Sequence, residues 1–378
     1  MSGDWIYLDY NASTPVADSV VEHMNRGLLS YAHPGAAHPA GRAAAELVRE
    51  ARETVARALG CSPLETIFCS GSTEAANQVI KGVAFSHPTG TSLHFVSSVV
   101  EHPATLQPLR FLERLGHRVT LLSVDRQGRV SVSQLEEALT ESTALVSLIH
   151  AQNETGTVQP LAEVGEVCRA RGVPFHVDAS QSFGKIPVDV EELKADFLNI
   201  AGHKVYGPKG VGALFVRSGQ RLEPLLHGGG QEEGARSGTR APQLLMGLAE
   251  ACRLVETLGP LSCEPAEHLW KCLREGLGDN VVRNGHPEHR VPNVVHATFR
   301  GVNGGELIER ARVAASTGSA CHSGNISPVL KAMGFSSAEA AGTVRLSCGR
   351  PSDLATVEEA AARLIAEYRN LTSSGDSI

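Results

Sequence analysis

In residues 42–59, RAAAELVREARETVARAL, the apolar positions fall at Leu47, Val48, Ala51, Val55 and Leu59 with charged residues between them. That spacing is one face of a helix and predicts an amphipathic one. From about residue 66 the pattern changes to short apolar, β-branched runs alternating with helical stretches: LHFVSSV, HRVTLLSV, ALVSLIHA, VPFHVDA, DFLNIAG and GALFVR. Such alternation predicts a mainly parallel sheet covered by helices. Around LGPLSCEP, residues 258–265, the alternation breaks, and a domain boundary is placed there. The smaller unit beyond it holds VPNVVHATF, TVRLSCGR and a terminal helix from about 352 to 370, with LTSSGDSI as a frayed tail. The domains are therefore expected at 15–257 for the large one, and at 1–14 with 258–378 for the small one.

Four polar clusters follow four of the predicted strands: EHPA, QNETG, DASQ and GHKVYGPKG. In sheets of this kind functional groups collect beyond the carboxyl ends of the strands, where loops leave a crevice. Composition narrows the chemistry. With 378 residues the chain is too long for one compact core, and its net charge of −7 comes with no basic run able to track a phosphodiester backbone. Nucleic acid is excluded as a partner on that ground. Asp4 and Asp9 stand where a secretory leader needs a basic start and an apolar run. No stretch reaches the roughly 20 apolar residues of a membrane helix. A soluble, cytoplasmic protein is expected, with no membrane association. The eight cysteines show neither C-x-x-C pairs nor metal-ligand spacing, so no metal is expected, and most read as small core fillers. Cys321, in STGSACHSGNISP, alone sits among glycine, serine and histidine.

Lys204 in GHKVYGPKG is held at a strand end by a glycine- and proline-rich turn, a suitable place for an amine that must make and break a Schiff base. Taken alone, a surface lysine is the plainer reading. Asp178, closing FHVD, could pair with a protonated pyridine nitrogen or simply cap the next helix. Gly71, Ser72 and Thr73 precede a helix and present free amides and hydroxyls, as a phosphate cradle or as an ordinary N-cap. His102 in EHPA could stack on an aromatic ring or be structural. Jointly these describe a pyridoxal phosphate site. A nucleotide site fits poorly, because no G-x-G-x-x-G follows the first strand and no Walker lysine is present.

The ordered series LDYNASTP, GSTEAAN, EHPA, QNETGTVQP, HVDASQSFGK, GHKVYGPKG, GGGQEEGARSGT, STGSACHSG and VRLSCGR resembles the cysteine desulfurases and selenocysteine lyases, pyridoxal phosphate enzymes of the class V aminotransferase fold. The resemblance runs from about residue 6 to residue 350. It implies an α/β, aspartate aminotransferase-like architecture: a large domain with a mainly parallel sheet and a smaller C-terminal α+β domain. It implies pyridoxal 5'-phosphate bound covalently to Lys204, with Asp178 on the pyridine nitrogen and His102 stacked on the ring and moving protons. Gln181 would bond the phenolic oxygen; Ser72, Thr73 and His203 would hold the phosphate; Thr239 would reach the phosphate of a second subunit in a homodimer. Asn11, Asn153 and Arg345 would bind the substrate, L-cysteine or L-selenocysteine, Arg345 through its planar fork. Cys321 would be the nucleophile, since a thiolate attacks sulfur or selenium and an exposed, polar loop favours its ionisation. The implied reaction forms L-alanine and leaves sulfur on Cys321 as a persulfide, destined for a sulfur or selenium acceptor protein.

Selenocysteine lyase and an aminotransferase of the same fold are the alternatives. Ala201 stands where a phosphate-binding serine is usual, Gln152 replaces an asparagine, and the loop CHSGNISPVLKAMG is about two residues shorter than in long-loop desulfurases.

Overall fold

The computed structural model describes residues 5–317 and 326–373. The amphipathic helix expected over 42–59 runs Pro39–Leu59. It starts earlier than the apolar stripe because the His38 ring accepts the Gly41 N–H at 3.1 Å and Pro39 fits the first turn. It stops at Gly60, whose φ of 74° is left-handed. Val48, Ala51, Val55 and Leu59 are buried, each large side chain contributing about 1.5–3 kcal/mol.

All six apolar runs form strands, and Thr66–Cys69 joins them in a seven-stranded sheet. Across it lie Thr66–Cys69, Gly212–Val216, Phe197–Ala201, Phe175–Asp178, Thr143–Ile149, His94–Ser98 and Arg118–Leu122. The last five are mutually parallel, and Gly212–Val216 runs antiparallel to both its neighbours. Helices on both faces explain why the central strands are apolar throughout: Phe175, Val177, Phe197, Leu198 and Ile200 are fully buried. Because the five strands point one way, the residues after Ser98, Ile149, Asp178 and Ala201 emerge at one edge. Gly212 shapes that edge, since a Cβ there would lie 2.8 Å from the Gly71 Cα.

A second core gathers around an antiparallel sheet of Ser316–Thr317, Thr343–Ser347, Val294–Phe299 and Val281–Arg283. Helices Glu264–Leu277 and Leu354–Ser373 pack on it, and the amino-terminal Ile6 and Leu8 enter the same core. Ile6–Tyr7 pairs in parallel with Val313–Ala314. Residues 371–373, expected within a frayed tail, are helical instead: Leu371 is buried on the same face as Leu364 and Tyr368, and the helix reaches Ser373; the rest of the expected tail lies outside the described residues.

Of the cysteines in the described residues, Cys69, Cys168, Cys252 and Cys348 are buried, Cys61 and Cys272 half-buried and Cys263 exposed. Burial pushes the thiols of Cys69, Cys168 and Cys348 up to about 12, so they stay protonated and inert. Cys321 lies outside the described residues. Among those described, no helix is long and apolar enough to cross a membrane, and no group of His, Cys, Asp and Glu is placed to hold a metal ion.

Candidate active site

At the carboxyl edge of the large sheet is a cavity of about 460 Å³, within the roughly 300–1,000 Å³ of small-molecule sites. Ser72, Thr73, His102, Asn153, Asp178, Gln181, His203 and Lys204 all line it. Asn11 is fully buried immediately behind it, while Arg345 and Thr239 lie outside its lining.

Lys204 ends a single 3-10 turn, Gly202–Lys204, that follows strand Phe197–Ala201. Its Nζ donates to the carbonyls of Asn11 at 2.6 Å and Ala12 at 3.0 Å. Burial first, then the Arg345 charge, lowers its amine to about 8, against the opposing pull of Asp178 and Asp9. At pH 7 about one molecule in ten then carries the free amine.

Asp178 closes strand Phe175–Asp178 and is buried. Its Oδ1 accepts from the Ser180 N–H at 3.0 Å, the Ser180 hydroxyl and the Asn199 amide at 2.8 Å. No described residue donates to Oδ2, on a side chain that lines the cavity. Asn199 is itself fixed by His176, whose Nε2 lies 2.7 Å from its Oδ1, while His176 Nδ1 meets Ser147 Oγ at 2.8 Å. The carboxylate is thus held from behind by a buried relay.

His102 caps helix Pro103–Arg114, its Nδ1 accepting the Ala104 N–H at 3.1 Å. The proton of the neutral ring is therefore on Nε2. Burial lowers its pKa, with Lys204 acting in the same direction and Asp178 opposing. His203 is lowered to about 4 by burial, Lys204 and Lys209, so both imidazoles are neutral at pH 7.

Helix Ser72–Phe85 begins at Gly71 with φ 144° and no capping side chain. A Cβ on Gly71 would meet nothing within 4 Å, so the first amides open onto the cavity. Ser72 Oγ lies 2.6 Å from Ser180 Oγ, whose own proton goes to Asp178. Ala201 brings a methyl to the same wall. Thr239 is exposed and lines a neighbouring cavity of about 200 Å³ that shares Ser70 and Gly210 with the larger one. Its loop is anchored by buried Glu232, which takes Arg52 at 2.7 Å, Arg240 at 2.5 Å and the Phe68 N–H at 3.0 Å.

Arg345 is engaged with Asp9 Oδ1 at 2.7 Å, Ser316 Oγ at 2.8 Å and the Asn153 carbonyl at 2.8 Å. Its Nε is buried without a hydrogen-bond partner among the described residues. The site also contains residues that the sequence reading did not single out: Ser180, Asn199, Lys185 and Glu101. Asn199 and Lys185 are polar letters inside otherwise apolar stretches, FLNIA and SFGKIPV, and that was the available signal.

Glu101 is buried beside His102, its Oε1 accepting from Ser98 Oγ at 2.6 Å. Burial, with Asp178 adding, pushes its carboxyl up to about 8. Between the ordinary glutamate pKa of ~4.3 and 8 the native state keeps a proton that the unfolded chain has lost. This contribution is fully present below the lower value and is lost as pH rises toward 8. Glu101→Gln has no proton to release, so its urea-unfolding free energy should fall less than the parent's between pH 5 and 8. Parallel pH profiles for the two proteins would contradict the assignment.

The family model Aminotransferase class-V matches residues 6–359. Cysteine desulfurase IscS of Pectobacterium carotovorum is 42% identical over 357 residues, covering 91% of this chain and 88% of the relative. IscS of Escherichia coli O139:H28 gives the same identity and coverage. Among solved structures, a NifS-like protein superposes with a TM-score of 0.88 at 34% identity, covering 98% of this chain and all of the other. SspA in complex with cysteine gives 0.83 at 39% identity, covering 90% of this chain and 98% of that one.

Proposed function

The chain belongs to the class-V aminotransferase family, and from that premise we propose that it is a pyridoxal phosphate-dependent cysteine desulfurase. L-Cysteine is converted to L-alanine, and its sulfur passes to Cys321. The observation that carries this reading is the convergence of Lys204, Asp178, His102 and the uncapped end of helix Ser72–Phe85 on one cavity.

The residues fit the cofactor. The open amides after Gly71, with Ser72, Thr73 and His203, suit a phosphate. Asp178 Oδ2 would hold a proton on the ring nitrogen, His102 would lie against the ring, and Gln181 would donate to the phenolic oxygen. Lys204 is the covalent anchor. When bound, the group supplies an electron sink for the negative charge that develops at the substrate α-carbon.

The chain's own side chains do the rest. Lys204, its amine lowered to about 8, takes the α-proton and later returns one. His102, neutral, moves protons at the substrate sulfur. Arg345 and Asn153 hold the substrate carboxylate, which the planar Arg345 fork would take in place of its present partners Asp9 and Ser316. The Cys321 thiolate attacks the substrate sulfur as its bond to the β-carbon breaks, so cysteine and the thiol become alanine and a persulfide. Thr239, exposed beyond the cavity, is read as completing the phosphate site of a second copy in a homodimer.

The test is product analysis with L-cysteine. Alanine equal in amount to sulfane sulfur, and a mass increase of one sulfur atom on the Cys321 peptide, are expected. Release of a keto acid would assign an aminotransferase, and turnover confined to L-selenocysteine would assign the lyase.

A further inference from the structure

Lys185 has no part in the reaction above, yet it is 3% exposed and stands directly behind Lys204. No ion pair to it occurs among the described residues, an unusual condition for a buried lysine. Its Nζ meets two neutral acceptors, Asn11 Oδ1 at 2.7 Å and Gln181 Oε1 at 2.6 Å. A neutral amine has two N–H groups to give, matching those two acceptors. Burial first, then the charges of Lys204 and Arg345, holds this amine well below the usual lysine range.

The two acceptors are the residues that brace the site. The Asn11 carbonyl receives Lys204 Nζ at 2.6 Å and Gln181 Nε2 at 2.9 Å, and Asn293 Nδ2 reaches Asn11 Oδ1 at 3.2 Å. The two ends of a glutamine amide are nearly identical in shape, so its orientation is set by its neighbours. Lys185 demands the oxygen end of Gln181 and the Asn11 carbonyl demands the nitrogen end. One Nε2 proton remains for the cavity that Gln181 lines. Without Lys185, Gln181 Oε1 would be a buried acceptor with no donor, and the amide would be free to turn.

We propose that Lys185 is a positioning residue that fixes the Gln181 amide with its N–H toward the cofactor's phenolic oxygen and holds Asn11 against Lys204. The inference rests on reading the cavity as the pyridoxal phosphate site. The experiment titrates apo-protein with pyridoxal phosphate for wild type, Lys185→Met, Gln181→Leu and the double variant. It records affinity, the pH midpoint of the bound chromophore and the melting temperature of the apo form. Lys185→Met is expected to weaken uptake about tenfold and to move the midpoint. In the Gln181→Leu background the same change should cost less than about twofold, because the partner is already gone. Lys185→Gln keeps an N–H donor and should bind within about threefold of wild type, which carries the test if the methionine variant does not fold. Wild-type affinity and midpoint in Lys185→Met, additive effects in the double variant, or a folded Lys185→Gln that binds tenfold weaker would each overturn the inference. Wild-type protein that takes up no cofactor would overturn the reading of the cavity as well, whereas normal wild-type uptake with an indifferent Lys185→Met overturns the inference alone.

Discussion

Lys204→Ala is expected to lower alanine formation from L-cysteine by roughly four or more orders of magnitude, because on the proposed mechanism it removes the covalent anchor and the proton-transfer base in one step. The fold should tolerate the change. Among the described residues Nζ bonds only to the Asn11 and Ala12 carbonyls, and the first of these keeps the Gln181 amide as a donor. Loss of activity should therefore come with a melting temperature close to that of the parent apo-protein. Borohydride reduction of the wild-type holoenzyme followed by peptide mapping locates the anchor independently. The label belongs on the peptide bearing Lys204. Label on Lys185, the buried amine behind it, would show that the roles of the two lysines are exchanged.

Cys321→Ala should abolish persulfide formation and reduce turnover of L-cysteine to background, while cofactor uptake and its visible spectrum stay at wild-type values. The thiol lies outside the described residues, but described residues on either side of it are hydrogen-bonded to Asp9, Arg345 and Glu154. Ser316 Oγ donates to Asp9 at 2.9 Å and accepts from Arg345, and Ser327 Oγ donates to Glu154 at 2.9 Å, next to Asn153. The described residues on either side of that stretch are thus hydrogen-bonded next to Arg345 and Asn153, the groups proposed to bind the substrate carboxylate. Retained alanine release from L-selenocysteine in the same variant would mark the thiol as a gate for that substrate. Unchanged turnover of L-cysteine would remove Cys321 from the mechanism.

The parts of the site legible in the sequence were those where a polar cluster interrupts a run of buried strand residues. Lys204, Asp178 and His102 each follow such a run, and parallel strands carry them to one edge. Residues that act from inside the runs were hidden. Asn199 in FLNIA and Lys185 in SFGKIPV look like lone exceptions until their partners, from distant parts of the chain, are placed beside them. The pairing of Arg345 with Asp9 spans 336 positions, and no local periodicity reports a contact of that range. The early start of helix Pro39–Leu59 was missed for a smaller reason, since histidine is not among the residues that usually begin a helix. Leu371 was assigned to a tail on the polarity of the letters after it, although its own spacing fits the buried face of the last helix.

The route of the first dozen residues has a consequence for biogenesis. Ile6–Tyr7 can be seated only after Val313–Ala314 exists, and the Asn11 N–H is received by Ser347 Oγ at 3.0 Å. The opening segment must therefore wait, unpaired, through most of translation before it closes over Lys204. Contacts of such long range assemble slowly. On the ribosome the strands of the large sheet, residues 66–216, are all made before Ser347 can receive Asn11, so the wall behind Lys204 is the last part of the cavity to be completed.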